Sequence, residues 1–488
     1  MKNYLLLILF VFTNILFAQN PADIDIPFTG TSGTSYDAMV TQPDGETIIG
    51  GNFTTFDGSG SSVPAFRLIR LNVDGSLDTD FNTNLGSGFN NKVTSIALQT
   101  DGKILVGGHF TTFKGSTQRR LVRLNADGTK DTDFNIGGGF RTTTDDLFDN
   151  TAHLNTIALQ SNGEILVGGI FSIFNVTTLP TGHNNMVRLN ADGTLNATFA
   201  NTNQIFSILI HDNQILIGGA TDPKLKRLNM DGSVDPNFTP PFFGSSVSTI
   251  TIQSDGKILV GGGFEDIDVD GYFIGVPSTT QRRLVRLNSD GTKDDDFNIG
   301  GGFTNTDPNN FNPRVLTIQI QSDGKILVGG QFTTFDGETN NNLIRLNSDG
   351  SKDITFDTDN GFNTNEKVSV IKTQPDGKVF IGGTFNNYQD INSNKLIRLK
   401  GATATLASDT FTSSDIKISL YPNPTTDYLN ISTPQDITSY EIYDINGRNV
   451  LSNKTSDKTI NVSNLTIGMY IINIKTDSGA SSSKFIKK

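Results

Sequence analysis

Short apolar stretches recur along this chain, and tight-turn residues separate them. In one representative stretch, Val93 to Gln99 is a short run of apolar and small polar side chains. Lys103 to Phe110 is apolar almost throughout, and Arg119 to Asn125 and Thr129 to Phe134 follow as two further short runs. Short runs rich in Val, Ile, Leu and Phe between tight-turn residues predict strands, so the four runs are read as strands a, b, c and d. Asp101-Gly102 joins a to b and Asp127-Gly128 joins c to d. Asp-Gly tolerates the positive backbone dihedrals of a two-residue hairpin, so both connections are expected to be of that kind.

The unit repeats. The block from Gln99 to Phe110 returns from Gln42, Gln160, Gln253, Gln321 and Gln374, and in degraded form from Asp212 to Gly219. An Arg-Leu core follows each copy, at Arg70, Arg123, Arg188, Arg227, Arg286, Arg345 and Arg398. Gly-Gly pairs beginning at Gly50, Gly107, Gly168, Gly218, Gly261, Gly329 and Gly382 mark the same seven copies. Four antiparallel strands repeated seven times describe an all-β, seven-bladed β-propeller.

Such a ring must close. The seventh copy stops at Lys400 without an Asp-Gly turn or a strand d, while Ile24-Asp25-Ile26-Pro27-Phe28 matches the pattern of Leu77 to Phe81. Residues 22–28 are therefore expected to supply the outer strand of blade seven, covering an edge that would otherwise be open.

The repeated Asp-Gly-Lys-Ile-Leu-Val-Gly-Gly and Arg-Leu-Asn-x-Asp-Gly-Ser/Thr blocks resemble the bacterial delta-60 repeat family over roughly residues 22–400. The family is associated with propellers and with no established enzymatic activity, so the resemblance implies architecture rather than chemistry.

Two end segments stand apart. Residues 1–18 combine Lys2 with an apolar run from Leu5 to Phe17 and read as a secretory signal ending at Ala18. Residues 19–400 form the propeller, and residues 401–415, small and polar, read as a linker. Residues 416–488 hold several short alternating strands, suited to a small C-terminal β-sandwich. This tail resembles the type A C-terminal sorting domain of the type IX secretion system. The matching stretches are Tyr421 to Pro424, Leu429 to Ile431, Tyr443 to Arg448, Leu465 to Tyr470 and Lys484 to Lys488. Gly468, Tyr470, Lys484, Lys487 and Lys488 are the residues carried over as the sorting signal. The resemblance implies the type IX machinery and its sortase-like peptidase as partners. It also implies passage through the periplasm to secretion or attachment at the outer surface.

Composition narrows the chemistry. The chain has 488 residues, 38 of them Lys or Arg and 50 Asp or Glu, a net charge of −12 that argues against a nucleic-acid partner. With no cysteine, disulfides, thiolate metal sites and cysteine nucleophiles are excluded. Beyond the leader, no stretch approaches membrane-spanning length. The seven arginines are read as structural partners of nearby aspartates, and the four histidines as incidental. The Gly-Gly pairs match no phosphate-binding fingerprint and are read as places where neighbouring blades approach closely.

Calcium is the one cofactor with a candidate site. Asp266, Asp268 and Asp270 stand at positions 1, 3 and 5 of a calcium-type loop with Gly271 at 6. Position 12 is Pro277, so the last ligand would come from elsewhere, and an acidic surface loop is the competing reading.

The a–b and c–d turns are short and uniform, whereas the b–c and d–a connections vary in length and should share one face. Gly137–His153, Gly300–Pro313, Phe171–Asn185 and Glu265–Gln281 carry Phe140, Asp145, Asp146, Tyr272, Phe273 and Phe303, read as exposed residues suited to a glycan or a peptide. The expected function is that of an exported, non-enzymatic propeller binding a glycan, peptide or other surface ligand. A secreted glycosidase-like hydrolase with carboxylates on the loop face is the alternative.

Overall fold

The computed structural model describes residues 20, 22–28, 33–57, 62–143, 151–200, 203–264, 267–268, 282–306, 313–359, 361–363, 366–401, 419–433, 435–444, 449–453, 457–466, 468–476 and 479–488. The signal segment and all but Gly401 of the linker lie outside these residues. The chain divides into two units, Met1–Thr403 and Ala404–Lys488.

Among the described residues, the first unit holds seven antiparallel blade sheets, with short two- or three-stranded ladders in the connections between them. Strands a, b and c of blade two are Val93–Leu98, Ile104–Gly108 and Leu121–Leu124, and each other blade repeats that order. The innermost strands are Gly33–Thr41, Val93–Leu98, His153–Leu159, Ile205–His211, Val247–Ile252, Arg314–Ile320 and Val368–Thr373. Each packs beside the next, and the seventh packs against the first, so the ring is closed. The core lies between blades. Leu105 and Leu121 of blade two share a cluster with Leu154, Ile157 and Val167 of blade three, and Phe380 and Leu396 of blade seven share one with Tyr36 and Ile49 of blade one.

The Gly-Gly pairs are required by this packing. A Cβ on Gly107 would stand 2.9 Å from Ile157 of the next blade, and one on Gly108 would stand 2.2 Å from the carbonyl oxygen of Lys92 in its own blade. The first glycine admits the neighbouring blade, and the second admits strand a. Gly382 does the same at the closure, where a Cβ would meet Met39 and Tyr36 of blade one.

Two expectations about the turns and outer strands need correction. The a–b turns of blades two, five, six and seven are three-residue turns, in which glycine alone takes positive φ, as at Gly102 (+84°). Asp101 stays in ordinary backbone space and accepts a hydrogen bond from the Lys103 amide at 3.0 Å. Only blade four makes the two-residue turn, with both Asp212 and Asn213 at positive φ.

Strand d is also shorter than expected. In blades one, two, four, five and six it shrinks to one bridge, such as Leu124 with Lys130. The cause is the aspartate that follows. Asp131 Oδ1 accepts from the Asp133 amide, and the same turn recurs at Asp235, Asp294 and Asp353, bending the chain off the ladder. In blade one Asp78 caps a short helix instead, Thr79–Leu85. Blade three has Asn196 at that position and keeps a strand, Leu195–Thr198. In blade seven Ile24–Pro27 forms the outer strand, antiparallel to Leu396–Leu399, with Ile24 opposite Leu399 and Pro27 opposite Ile397. Proline two residues after Asp25 has no amide hydrogen, so the bending turn is unavailable there.

The tail unit contains a three-stranded sheet and a four-stranded sheet. Leu429, Ile442, Ile460, Ile472 and Phe485 lie in its core.

Candidate functional site on the loop face

One face of the propeller is built from the a–b and c–d turns and is braced by charge. Arg123 Nε lies 2.7 Å from Asp131 Oδ2, Lys103 Nζ lies 2.9 Å from the same oxygen, and the guanidinium stacks 4.6 Å over Phe134. Burial pushes the Asp131 carboxyl up, but hydrogen bonds from Lys103, the Asp133 amide and Arg123 outweigh it and hold it at about 2. Each such arginine also reaches the c–d turn of the next blade, as Arg70 does to the Ala126 carbonyl at 2.8 Å and Arg188 to the Met230 carbonyl at 2.7 Å. Arg345 is the exception, because blade seven has no c–d turn to reach. The arginines are therefore structural, tying each blade to its own turn and to its neighbour.

The opposite face carries the variable connections. The d–a segment entering a blade pairs with the b–c segment of that blade: Phe140 with Phe174, Phe303 with Phe335, and Phe242 with Asp268. The two classes of connection thus emerge together on one face. The aromatics expected to be exposed there are not. Phe140 and Phe303 are fully buried. Phe140 sits 4.7 Å from Phe171 and 4.9 Å from Phe174, ring centre to ring centre, and Phe303 sits 4.6 Å from Phe332 and 5.1 Å from Phe335. Phe89 with Phe110 and Phe113, and Phe362 with Phe385 and Tyr388, build the same trio. The recurrence of Gly-Phe at 88–89, 139–140, 302–303 and 361–362 was the available sign that these rings are repeat core. Asp145, Asp146, Asp266, Asp270, Tyr272 and Phe273 lie outside the described residues, and of Asp268 only the backbone pairing is described. Among the described residues, no group of three or more His, Asp and Glu side chains could hold a metal ion.

The structure instead assembles residues that sequence reasoning passed over. The carbonyl against the second glycine of each pair belongs to the residue at the start of strand a. Around the ring these residues are Ser35, Lys92, His153, Gln204, Ser246, Arg314 and Lys367. Four of the seven carry a cation or an imidazole, and they cluster on blades six, seven, two and three. Lys92 Nζ pairs with Asp37 Oδ1 at 3.0 Å, and Ser35 Oγ donates to Asp37 Oδ2. His153 is stacked on His109, with centroids 4.3 Å apart and planes within 6°. The histidines are thus not incidental: two of the four meet across the boundary between blades two and three. Burial, with added repulsion from His153, Lys92 and Arg120, pulls His109 down to about 4, so it is neutral at pH 7. Burial likewise lowers His153. Burial lowers Lys367 too; Asp37 opposes that shift, while Lys92 and Arg314 add to it. Among the described residues, Arg314 Nε is enclosed and has no hydrogen-bond partner. Glu366, next to this ring, is raised by burial, and its Oε1 accepts from the Asn386 amide at 2.9 Å. The signal lay in the seven-fold alignment, at the residue beginning each strand a, where charge varies while the strand itself does not.

The profile of the family described as "Domain of unknown function (DUF5122) beta-propeller" matches residues 42–81, 99–134, 160–199, 211–238, 253–297, 321–356 and 374–401. The chain belongs to this propeller family. A second profile, the "Secretion system C-terminal sorting domain", matches residues 419–488. The DUF5122 propeller is therefore an exported protein, destined for secretion or cell-surface attachment by the type IX route. Among the described residues, no helix is long and apolar enough to cross a membrane.

The carried-over sorting residues form part of a folded unit. Tyr470 is buried, stacks 5.6 Å from Phe485, and donates its hydroxyl to the Thr466 carbonyl at 2.8 Å. Gly468 lies opposite Lys487 on paired strands, and Lys484 opposite Ile471. Lys487 is buried, and its Nζ donates to the Lys488 carbonyl at 2.8 Å. Tyr470 and Phe485 thus belong to the tail's own core.

A search of curated proteins finds no match. Among solved structures, the chain is similar to PorZ, a surface component of the type IX secretion system of Porphyromonas gingivalis. That match has 15% identity and a TM-score of 0.39, covering 94% of this chain and 58% of that one. The extracellular domain of a one-component system, BT4673 of B. thetaiotaomicron, matches at 13% identity and a TM-score of 0.44, covering 96% and 58%. A gluconolactonase of Xanthomonas campestris matches at 11% and 0.33, covering 62% and 84%. The chain spans only about 58% of the first two.

Proposed function

We propose that this DUF5122 propeller is a non-enzymatic binding protein that presents its loop face to a glycan, peptide or other surface ligand once the tail has delivered it. The observation that carries this reading is the clustering of Lys92, His153, Arg314 and Lys367 on the face from which the variable connections emerge. The turn face is occupied by blade-bracing ion pairs and has little freedom to vary. The calcium reading of Asp266, Asp268 and Asp270 remains part of this proposal. It requires calcium to raise the melting temperature of the mature chain and alanine at the three positions to abolish the rise.

The test is a glycan array and surface-extract capture with the mature chain and two sets of variants. Ser116→Arg and Glu338→Arg alter exposed hairpins of the loop face, while Thr100→Arg and Ser254→Arg alter the turn face. Loss of capture in the first pair alone is expected. Capture lost only in the second pair, or chemical turnover of the captured ligand, overturns the reading.

A further inference from the structure

The start of strand a is the point of each blade nearest the ring axis on the loop face. Seven such residues therefore encircle the axial mouth, and their side chains decide what it attracts. Arg314, Lys367 and Lys92 occupy three of these places, with His153 following and His109 stacked behind it. Their neighbour on blade one is Ser35, whose hydroxyl turns to Asp37. Two described carboxylates lie nearby: Asp37, which faces Lys92 and Lys367, and Glu366, whose neighbouring cation is Lys395 rather than any of these three. Asp37 is held by Lys92, and one oxygen of Glu366 by Asn386. Arg120 adds a fourth cation behind His109, although it is buried and its Nη1 donates to the His109 carbonyl. This concentration of positive charge is set in a chain of net charge −12. Lys367 is lowered chiefly by burial, and the nearby charges of Lys92 and Arg314 add to that cost. A bound anion removes that cost. Among the described residues the enclosed Arg314 Nε–H has no acceptor, so no carboxylate neutralises that edge of the guanidinium from within, and its outer nitrogens are the ones that would give an oxyanion charge-assisted hydrogen bonds.

Resting on the loop-face reading above, we infer that the axial mouth of the propeller binds an oxyanion, a carboxylate or sulfate carried by the ligand, between Arg314, Lys367 and Lys92. Asp37 acts as the internal competitor that holds Lys92 when no ligand is present. An acidic sugar presents this chemistry, as does a free inorganic oxyanion, and the ring reads the charged group rather than the rest of the molecule. His109 and His153, neutral at pH 7, form a flat wall beside the cations and add no charge of their own.

The experiment is titration calorimetry of the mature full-length chain at low salt with sodium glucuronate, sodium sulfate and glucose. Glucuronate binding, competition by sulfate and no heat from glucose are expected. Lys367→Met combined with Arg314→Met keeps the apolar stems and removes two charges, and should weaken glucuronate binding at least about tenfold at an unchanged melting temperature. Asp37→Asn removes the competitor and should tighten binding severalfold, an outcome that loss of structure cannot produce. Glucuronate bound without competition by sulfate would still support the site and assign the preference to carboxylate. No oxyanion binding by the parent chain, equal binding of glucose, or affinity unmoved by both variants overturns the inference. Should capture on the loop face persist in that case, the binding-protein reading stands and only the oxyanion is lost.

Discussion

Arg398 and Asp25, 373 positions apart in sequence, meet with Nε 2.7 Å from Oδ2, and this pair does for blade seven what Arg123 and Asp131 do within blade two. Arg398 Nη1 also donates to the Val73 carbonyl of blade one at 2.6 Å, so one buried guanidinium joins the amino-terminal strand, the last blade and the first. Asp25→Ala leaves that guanidinium without its carboxylate and should cost about 3 kcal/mol in chemical denaturation. Deleting residues 22–28 should cost more, because it also exposes the edge of Leu396–Leu399 and uncovers Tyr388, whose hydroxyl donates to the Ala22 carbonyl. Unchanged midpoints would show that the ring does not depend on this closure.

The Gly-Gly pair separates two kinds of crowding. At Gly108 the obstacle is the Lys92 carbonyl, which is backbone and cannot yield, whereas at Gly107 it is the movable tip of Ile157. Gly108→Ala should therefore destabilise by about 3 kcal/mol, and Gly107→Ala by about 1 kcal/mol. Equal costs would mean that strand a can retreat from strand b.

Acid should act in two windows. Asp131 is held at about 2 and Asp353 is held low as well, by Lys325, Thr355 and Arg345 against the opposing effect of burial. A carboxylate depressed on folding contributes stability that is complete above the ordinary value near 4 and is lost as pH falls towards 2. His109, lowered from 6.5 to about 4, is neutral when folded and takes up a proton more readily when unfolded. Its contribution is therefore complete above 6.5 and fades as pH falls from 6.5 to 4. Denaturation midpoints followed from pH 8 to pH 2 should fall in both windows. His109→Gln should flatten the upper window and leave the lower one unchanged. If His109→Gln leaves the upper window as steep, the burial of the imidazole pair is not its source.

Removing residues 416–488 should leave the propeller folded but held in the periplasm, because the tail is a separate unit with its own core. Tyr470→Ala should melt the tail and stop delivery, since the ring fills that core and its hydroxyl holds Thr466. Cell fractionation and a calorimetric scan with two transitions are the readouts. Normal surface delivery of either variant would contradict the sorting role.

The repeat itself determined the most. Seven copies of Gln-x-Asp-Gly and Gly-Gly place strands a, b and c, and the missing strand d of blade seven points to Ile24–Phe28, because these are local periodicities and simple counts. Strand periodicity did not show the length of strand d, because one side-chain acceptor decides it: Asp131 takes the Asp133 amide and turns the chain off the ladder, whereas Pro27 has no amide to offer Asp25. Nor could it decide whether Phe140 and Phe303 face solvent, since an aromatic in a loop looks alike whether or not Phe174 or Phe335 closes over it. The axial cluster is the clearest case. Arg314, Lys367, Lys92 and His153 are separated by whole blades in sequence and have nothing in common as a motif. They come together because strands are laid radially and the ring closes, which brings one register position from every blade to a single axis.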